Sequence, residues 1–254
     1  MTSILLSEWT KIRTVRSTVW TLLPTLLFSP AIAFLAGRSF SDSLAGRPRD
    51  FDPLFATFYS LTLGQLGVAV FGVLVIGSEH STGAIRSALM AVPQRGKLYL
   101  AKVCAIILVM LGISAVTAVA TFFAAQAGLG PHKVTLGADG VPEALIGAVL
   151  YLTMICLLAT GLTATLRSSI AALVILLPLL FLGGAGLGNI PQIKDFAQYL
   201  PDQAGMVILH LTVPDHPQFG RDYGPWTGLG IMALWTLAAL LGGLFTLRRR
   251  DAVH

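Results

Sequence analysis

Six stretches of the chain read as nearly unbroken runs of apolar and small residues, at approximately Thr18 to Ala36, Leu54 to Ile76, Val103 to Ala125, Ala144 to Leu166, Ile170 to Leu187 and Trp226 to Leu247. None of the runs contains Asp, Glu, Lys, Arg or His. About 20 apolar residues in helical form cross a bilayer core, and hydrocarbon offers no partner to an unpaired backbone N–H, so each run predicts a transmembrane helix. Only Arg167-Ser168-Ser169 separates the fourth run from the fifth, which makes those helices antiparallel neighbours. From Gly188 to Pro225 the chain is too apolar for a solvated loop, yet Pro191, Pro201, Pro214 and Pro217 interrupt it. That pattern predicts short helices packed at one mouth of the bundle. Pro24, Pro30 and Pro178 each remove a helix donor inside a run, so kinks are expected there. Ala120, Ala124 and Gly128, and again Gly184 with Gly188, recur at intervals of four residues and mark faces of close helix approach.

Composition supports this reading. Of the 254 residues 55% are hydrophobic and 11% charged, against about 25% charged in a soluble domain. The expected fold class is therefore an all-α membrane protein, a single transmembrane domain over residues 1–254. The first run follows a basic leader, and Ala31-Ile32-Ala33 imitates a signal-peptidase site. The apolar stretch exceeds the roughly 7 to 15 residues of a signal h-region, which favours an uncleaved first span. Within the leader, Leu5, Trp9, Ile12 and Val19 share one helical face and Glu8, Lys11, Thr14 and Thr18 another. An interfacial helix with Trp9, Lys11 and Arg13 in the headgroup zone fits that pattern, as does an undifferentiated topogenic leader.

Charge orients the runs. With both termini on one side, that side collects eleven basic residues, Arg86, Arg95, Lys97, Lys102, Arg167 and Arg248 among them, against Glu8, Glu79 and Asp251. The other side holds six basic and nine acidic residues. Lys and Arg concentrate in cytoplasmic loops, so both termini and the segment from Gly77 to Lys102 are expected inside, in a cell inner membrane. The net charge of +5 then reports topology and contact with anionic lipid rather than nucleic acid.

Catalytic motifs are absent from the sequence. It contains no GxxxxGK[ST] phosphate loop, no HExxH pair and no GxSxG elbow. The glycine run Gly183 to Gly188 ends an apolar stretch instead of joining a strand to a helix, so it does not read as a dinucleotide site. Cys104 and Cys156 both fall inside runs and suggest neither a disulfide framework nor a metal site. His210, Asp215 and His216 are close in sequence and chemically able to bind zinc, but ordinary loop polarity accounts for them. Ion-driven carriers use ionisable groups inside their spans, and these runs have none. Gln65, Ser114, Thr117, Thr121, Thr153, Thr160 and Thr163 are polar residues inside runs, and interhelical hydrogen bonding is their expected role.

The segment between the second and third runs reads GSEHSTGAIRSALMAVPQRGKLYLAKV from Gly77 to Val103. Ser81 or Thr82 can cap a short helix that aligns Ile85, Leu89 and Val92, places Arg86 and Ser87 opposite, and ends at Pro93. An amphipathic helix followed by Arg95, Lys97 and Lys102 suits anionic lipid or a groove on a protein partner.

Several motifs together resemble bacterial ABC type 2 exporter permeases of actinobacterial type. They are the SEWTKIR leader, the residues Glu79, Thr82, Gly83, Ile85, Arg86, Leu89, Pro93 and Arg95 between the second and third spans, and YLPDQAGMVIL from Tyr199 to Leu209. The resemblance implies six transmembrane helices with an N-terminal interfacial helix bearing Trp9, Lys11 and Arg13. It implies a cytoplasmic coupling helix within Gly77 to Lys97 that seats on a separate ABC ATPase subunit. Short outer helices between spans five and six, including Tyr199, Pro201 and Gly205, would form an outer gate. A second permease chain, identical or paralogous, would complete the pathway. ATP and Mg would bind the partner subunit, with no cofactor on this chain, and a hydrophobic or amphipathic substrate would move outward. A partner-independent transporter and a membrane-embedded immunity protein or enzyme are the alternatives.

Overall fold

The computed structural model describes residues 20–44, 52–81, 94–184, 189–212 and 220–249. Helices and turns make up these residues, and no strand occurs among them. The helices in chain order are α1 (Leu23–Leu44), α2 (Pro53–Phe58), α3 (Leu61–Ser81), α4 (Arg95–Leu129), α5 (Val141–Leu166), α6 (Ser169–Gly184), α7 (Lys194–Ala197), α8 (Pro201–Met206) and α9 (Pro225–Arg249).

Among the described residues, five stretches are long and apolar enough to cross a membrane: Leu23–Ser41, Pro53–Glu79, Arg95–His132, Val141–Leu166 and Pro225–Arg249. They coincide with the first four apolar runs and the sixth. The fifth run forms α6, whose 16 residues rise about 24 Å at the usual helical pitch. That is less than the roughly 30 Å of a hydrocarbon core, and residues 185–188 of the run lie outside the described residues. Helix α4 differs in the other direction, beginning at Arg95 instead of Val103. Hydropathy marks only the part of a helix that hydrocarbon selects, whereas Lys, Leu, Ala and Arg continue a helix readily into a polar region.

Local signals set several boundaries. Asp52 caps α2 by accepting a hydrogen bond from the Leu54 N–H at 2.8 Å, and Pro53 occupies the first turn, where its missing N–H costs nothing. Pro30 and Pro178 both lie inside continuous helices. At the end of α4, Gln126 donates to Thr57 Oγ1 at 3.0 Å and accepts from the Val134 N–H at 2.8 Å, fastening the following loop to α2.

Helix α5 is the centre of the bundle and packs on α3, α4, α6 and α9, while α1 packs chiefly on α4. Two thirds (67%) of the apolar windows of α2–α3 and α5 are buried, against 22% for α1 and 28% for α9. The last two therefore turn a broad face outward, with Leu27, Phe28 and Leu35 exposed on α1 and Leu234, Leu237 and Leu241 on α9.

The small-residue spacing in the third run meets a partner within the chain. A Cβ on Gly37 of α1 would stand 2.6 Å from the Ala125 carbonyl of α4, and one on Gly128 of α4 would overlap the Phe34 carbonyl of α1. The same closeness recurs between α5 and α9, where a Cβ on Gly161 would lie 2.6 Å from the Ala239 carbonyl carbon. Polar residues inside the bundle divide into two groups. Gln65 accepts from the Tyr151 hydroxyl and donates to the Leu180 carbonyl at 3.4 Å, and Thr160 donates to the Gly72 carbonyl at 3.2 Å, so these side chains bridge helices as expected. Thr117, Thr153 and Thr163 instead bond the carbonyl four residues back in their own helix. Ser114 and Thr121 hydroxyls are buried without a hydrogen-bond partner.

Replacing Gly128 by valine should separate α1 from α4 and lower thermal stability in detergent by about 1–3 kcal/mol, the usual cost of overpacking. Valine at Gly112, where a Cβ would meet nothing, should leave the melting temperature nearly unchanged. Equal melting of the two variants would refute the close-approach assignment.

Candidate functional site

One end of the bundle gathers the end of α3, the start of α4, the end of α5, the start of α6 and the end of α9. Glu79, in the last turn of α3, forms an ion pair with Lys102 of α4, the side chains being 15% and 6% exposed. A pair so well shielded from water is screened far less than a surface pair, and removing one partner strands the other charge. Arg95, the first residue of α4, donates through Nη1 to the Leu247 carbonyl of α9 at 3.3 Å. This carbonyl belongs to the last turn of α9, where helix geometry leaves acceptors without intrahelical donors, so the guanidinium meets a need already present. One turn further along α4, the Tyr99 hydroxyl donates to the Leu240 carbonyl at 3.1 Å. Gly96 lies under the Arg248 guanidinium, Gly77 against Ser169 at the start of α6, and Arg249 stacks 4.2 Å over the Phe245 ring. The helices on either side of residues 82–93 are thus tied to each other and to α9.

A family model for ABC-2 family transporter proteins matches residues 4–183. The chain belongs to the ABC-2 transporter family. No curated protein matches the chain. As a family member it is a membrane component of a transporter, in keeping with the five membrane-length helices among the described residues. The match ends within α6, so the residues of α9 that receive Arg95 and Tyr99 lie beyond it.

Among the expected site residues of this ABC-2 protein, Glu79 and Arg95 are described and stand at the same end of the bundle. Thr82, Gly83, Ile85, Arg86, Leu89 and Pro93 lie outside the described residues, as do Trp9, Lys11 and Arg13. The sequence reading missed Lys102 as the partner of Glu79, and missed Tyr99 with the carbonyls of Leu240 and Leu247. Lys102, a lone cation at the edge of an apolar run, was the one available signal.

Tyr199, Pro201 and Gly205 fall at the opposite end, in the short-helix segment. Pro201 and Gly205 are buried, and Gly205 fits against the Tyr151 ring and Met232. Tyr199 packs on Tyr223 with ring centroids 5.5 Å apart, and its carbonyl accepts from Trp235 Nε1 at 2.9 Å. Around them lies a polar cluster. Arg221 Nη2 donates to Asn189 Oδ1 at 3.0 Å and to Gln203 Oε1 at 2.9 Å, and Gln198 donates to Asp222 at 2.6 Å. Asp202 is fully buried; one carboxyl oxygen accepts from Gln203 Nε2 at 2.8 Å and the other has no hydrogen-bond partner. Burial pushes its carboxyl up to about 6, against the pull of the Gln203 hydrogen bonds and the Arg221 charge.

His210, suggested by sequence as a possible metal ligand, sits 2.8 Å from Asp52 and adopts a left-handed backbone with φ 56°. Asp215 and His216 lie outside the described residues, and no group of three potential ligands occurs among the described ones. Desolvation raises the Asp52 carboxyl, but the His210 contact and the Leu54 and Phe55 N–H groups outweigh it and hold it below the usual range.

Two predictions follow from these ends. Glu79→Leu and Lys102→Leu should each destabilise the chain by about 3 kcal/mol through a stranded charge, and the double variant by clearly less than either; additive losses in detergent melts would show that the pair is not coupled. The raised Asp202 carboxyl contributes stability that is complete below the ordinary carboxylate value of 3.8 and is lost as pH rises through about 6. Acidification from pH 7 to pH 5 should therefore raise the melting temperature of the wild type, and Asp202→Asn should remove that component; an identical pH profile in both would refute it.

Proposed function

We propose that this chain is the transmembrane permease subunit of an ATP-driven exporter and works as a pair of permease chains with a separate ABC ATPase. In this reading six helices span the membrane, one from each apolar run, and both termini face the cytoplasm. The basic end faces inward and α7 and α8 lie at the outer mouth. Residues Gly77 to Lys97 form the coupling element. Thr82, Gly83, Ile85, Arg86, Leu89 and Pro93 would meet the ATPase, while Glu79 and Arg95 at its two borders would carry the movement into the bundle. Trp9, Lys11 and Arg13 would lie in the interface beside the same subunit.

The observation that carries this reading is the fastening on both sides of residues 82–93. Glu79 is held to Lys102, and Arg95 and Tyr99 are held to α9. When ATP draws two ATPase subunits together, a push on the intervening segment would not be lost in bending of the α3 or α4 ends. It would move α3, α4 and α9 as a body, the kind of rigid-body shift by which packed helices transmit a signal. ATP and Mg would stay on the partner, and the cargo of this chain would be hydrophobic or amphipathic.

The buried Asp202 supports one second reading, a partner-independent carrier driven by protons, since a carboxyl poised near neutrality can bind and release them. Affinity purification from native membrane separates the two. The exporter reading expects an ABC ATPase to co-purify with the wild type, and expects Arg86→Ala to weaken that association and the stimulation of ATPase activity while the chain remains in the membrane. Flux by the chain alone in proteoliposomes under a proton gradient, abolished by Asp202→Asn, would overturn it.

A further inference from the structure

Between α6 and α8 the chain turns an apolar edge away from the bundle. The N–H groups of Ile193, Phe196 and Tyr199 donate to the carbonyls three residues back, those of Ile190, Ile193 and Phe196, at 3.1, 3.1 and 3.2 Å. Bonds of that spacing tighten the coil toward three residues per turn, where side chains at i and i+3 eclipse, so Ile190, Ile193, Phe196 and Tyr199 fall along one edge. Phe196 is 77% exposed and the other three 42–44%. The opposite side is fixed to the protein. Ala197 and Gln198 are buried, Gln198 donates to Asp222, and its carbonyl accepts from the Tyr223 hydroxyl. Gln192 and Asp195 form an exposed polar edge beside the apolar one. A contiguous exposed apolar edge of this kind marks an interaction surface.

Contacts with the long helices give the depth of this edge. The Tyr199 carbonyl accepts from Trp235 Nε1 at 2.9 Å, and Trp235 stands about 15 Å along α9 from Pro225 at the usual helical rise. Helical side chains lean toward the helix start, so Tyr199 lies roughly 10 Å below the level at which α9 begins. Gly205 meets Met232 of α9 and the ring of Tyr151, which is about 15 Å along α5 from Val141. The segment therefore lies beside the membrane-length stretches of α5 and α9, not beyond them. Its exposed edge continues the outward surface of α9, where Trp226, Leu234, Trp235 and Leu237 are exposed. Trp and Tyr concentrate at the boundary between lipid and water.

We infer that Ile190, Ile193, Phe196 and Tyr199 insert into the lipid leaflet at this end of the bundle, while Gln192 and Asp195 face water. Lipid is the occupant because the edge continues a helix surface that hydrocarbon already covers, and at the same depth. A coil with one apolar and one polar edge settles with the apolar one about 5–10 Å into the boundary between headgroups and acyl chains. The Tyr199 carbonyl would find no water there, and Trp235 Nε1 supplies its donor. Lipid on one side and the contacts of Gln198, Tyr223 and Trp235 on the other would hold the segment in place. That this is the outer leaflet rests on the proposed orientation, whereas the insertion itself does not.

The test places nitroxide labels on the full chain in phosphatidylcholine bilayers and compares collisions with oxygen, which partitions into hydrocarbon, and with a nickel chelate, which stays in water. Cys104→Ser removes the exposed thiol, and Cys156 is buried beyond the reach of the label. In that background the label is carried in turn by Gln192→Cys, Ile193→Cys, Asp195→Cys and Phe196→Cys. Leu237→Cys serves as the lipid reference and Lys133→Cys as the water reference. The oxygen-to-nickel ratio at positions 193 and 196 should be several-fold above that at 192 and 195 and close to the value at 237. Two positions on each edge preserve the comparison if one variant fails to fold. Equal ratios at all four positions, or ratios at 193 and 196 that match position 133, would overturn the insertion. So would shielding of 193 and 196 from both probes with dipolar coupling between labels, which would place a second chain on the edge. None of these outcomes bears on ATPase co-purification, so the two readings fail separately.

Discussion

Lipid tails are as apolar as leucine, so no hydrophobic force draws one membrane helix onto another, and the bundle depends on how closely its backbones can approach. Gly37 and Gly128 bring α1 onto α4, and Gly161 brings α5 onto α9. At these crossings helix surface meets helix surface at contact distance, so dispersion acts over many atoms at once. The bridging hydrogen bonds of Gln65 and Thr160 add direction to that packing, and each also spares a polar group from lying unpaired in hydrocarbon. Helices α1 and α9 need this device most, because most of their surface faces outward.

Given a bundle held this way, its two ends solve different problems. At the basic end the helices carry cations, and the exposed carbonyls at the end of α9 accept from one of them, Arg95. The charges there bind elements together as well as setting topology. At the other end the chain runs through short helices, and side-chain hydrogen bonds among Asn189, Gln198, Gln203, Arg221 and Asp222 join them to the segment before α9. Asp202 sits inside that network with one oxygen unsatisfied. Its location shows that the absence of ionisable residues from the apolar runs does not make the interior free of titratable groups, because a short connecting helix can insert one.

Under the proposed reading, a subunit moved by a partner would need a stiff path between the place where force is applied and the helices that part. The contacts of Glu79, Arg95 and Tyr99 have that character: each joins different helices, and the ion pair is largely withdrawn from water.

The sequence by itself determined the membrane class and the approximate position of every long helix, because the need to satisfy backbone groups in hydrocarbon writes itself as uncharged runs. It also showed the short helices after α6, through proline spacing, and the family, through motifs around Glu79 and Arg95. The small-residue rhythm ending at Gly128 was legible as a packing face, but not the identity of α1 as its partner. Whether Thr117 and Thr160 bond within or between helices was equally hidden, since a hydroxyl can turn back to its own carbonyl or reach a neighbour. Only the tertiary structure decided that Glu79 meets Lys102, that Arg95 reaches α9, and that Asp202 is buried. These are contacts between residues far apart in the chain, and which of several similar cations or carboxylates comes within reach depends on helix rotation and crossing, which a one-dimensional pattern of apolar residues does not specify.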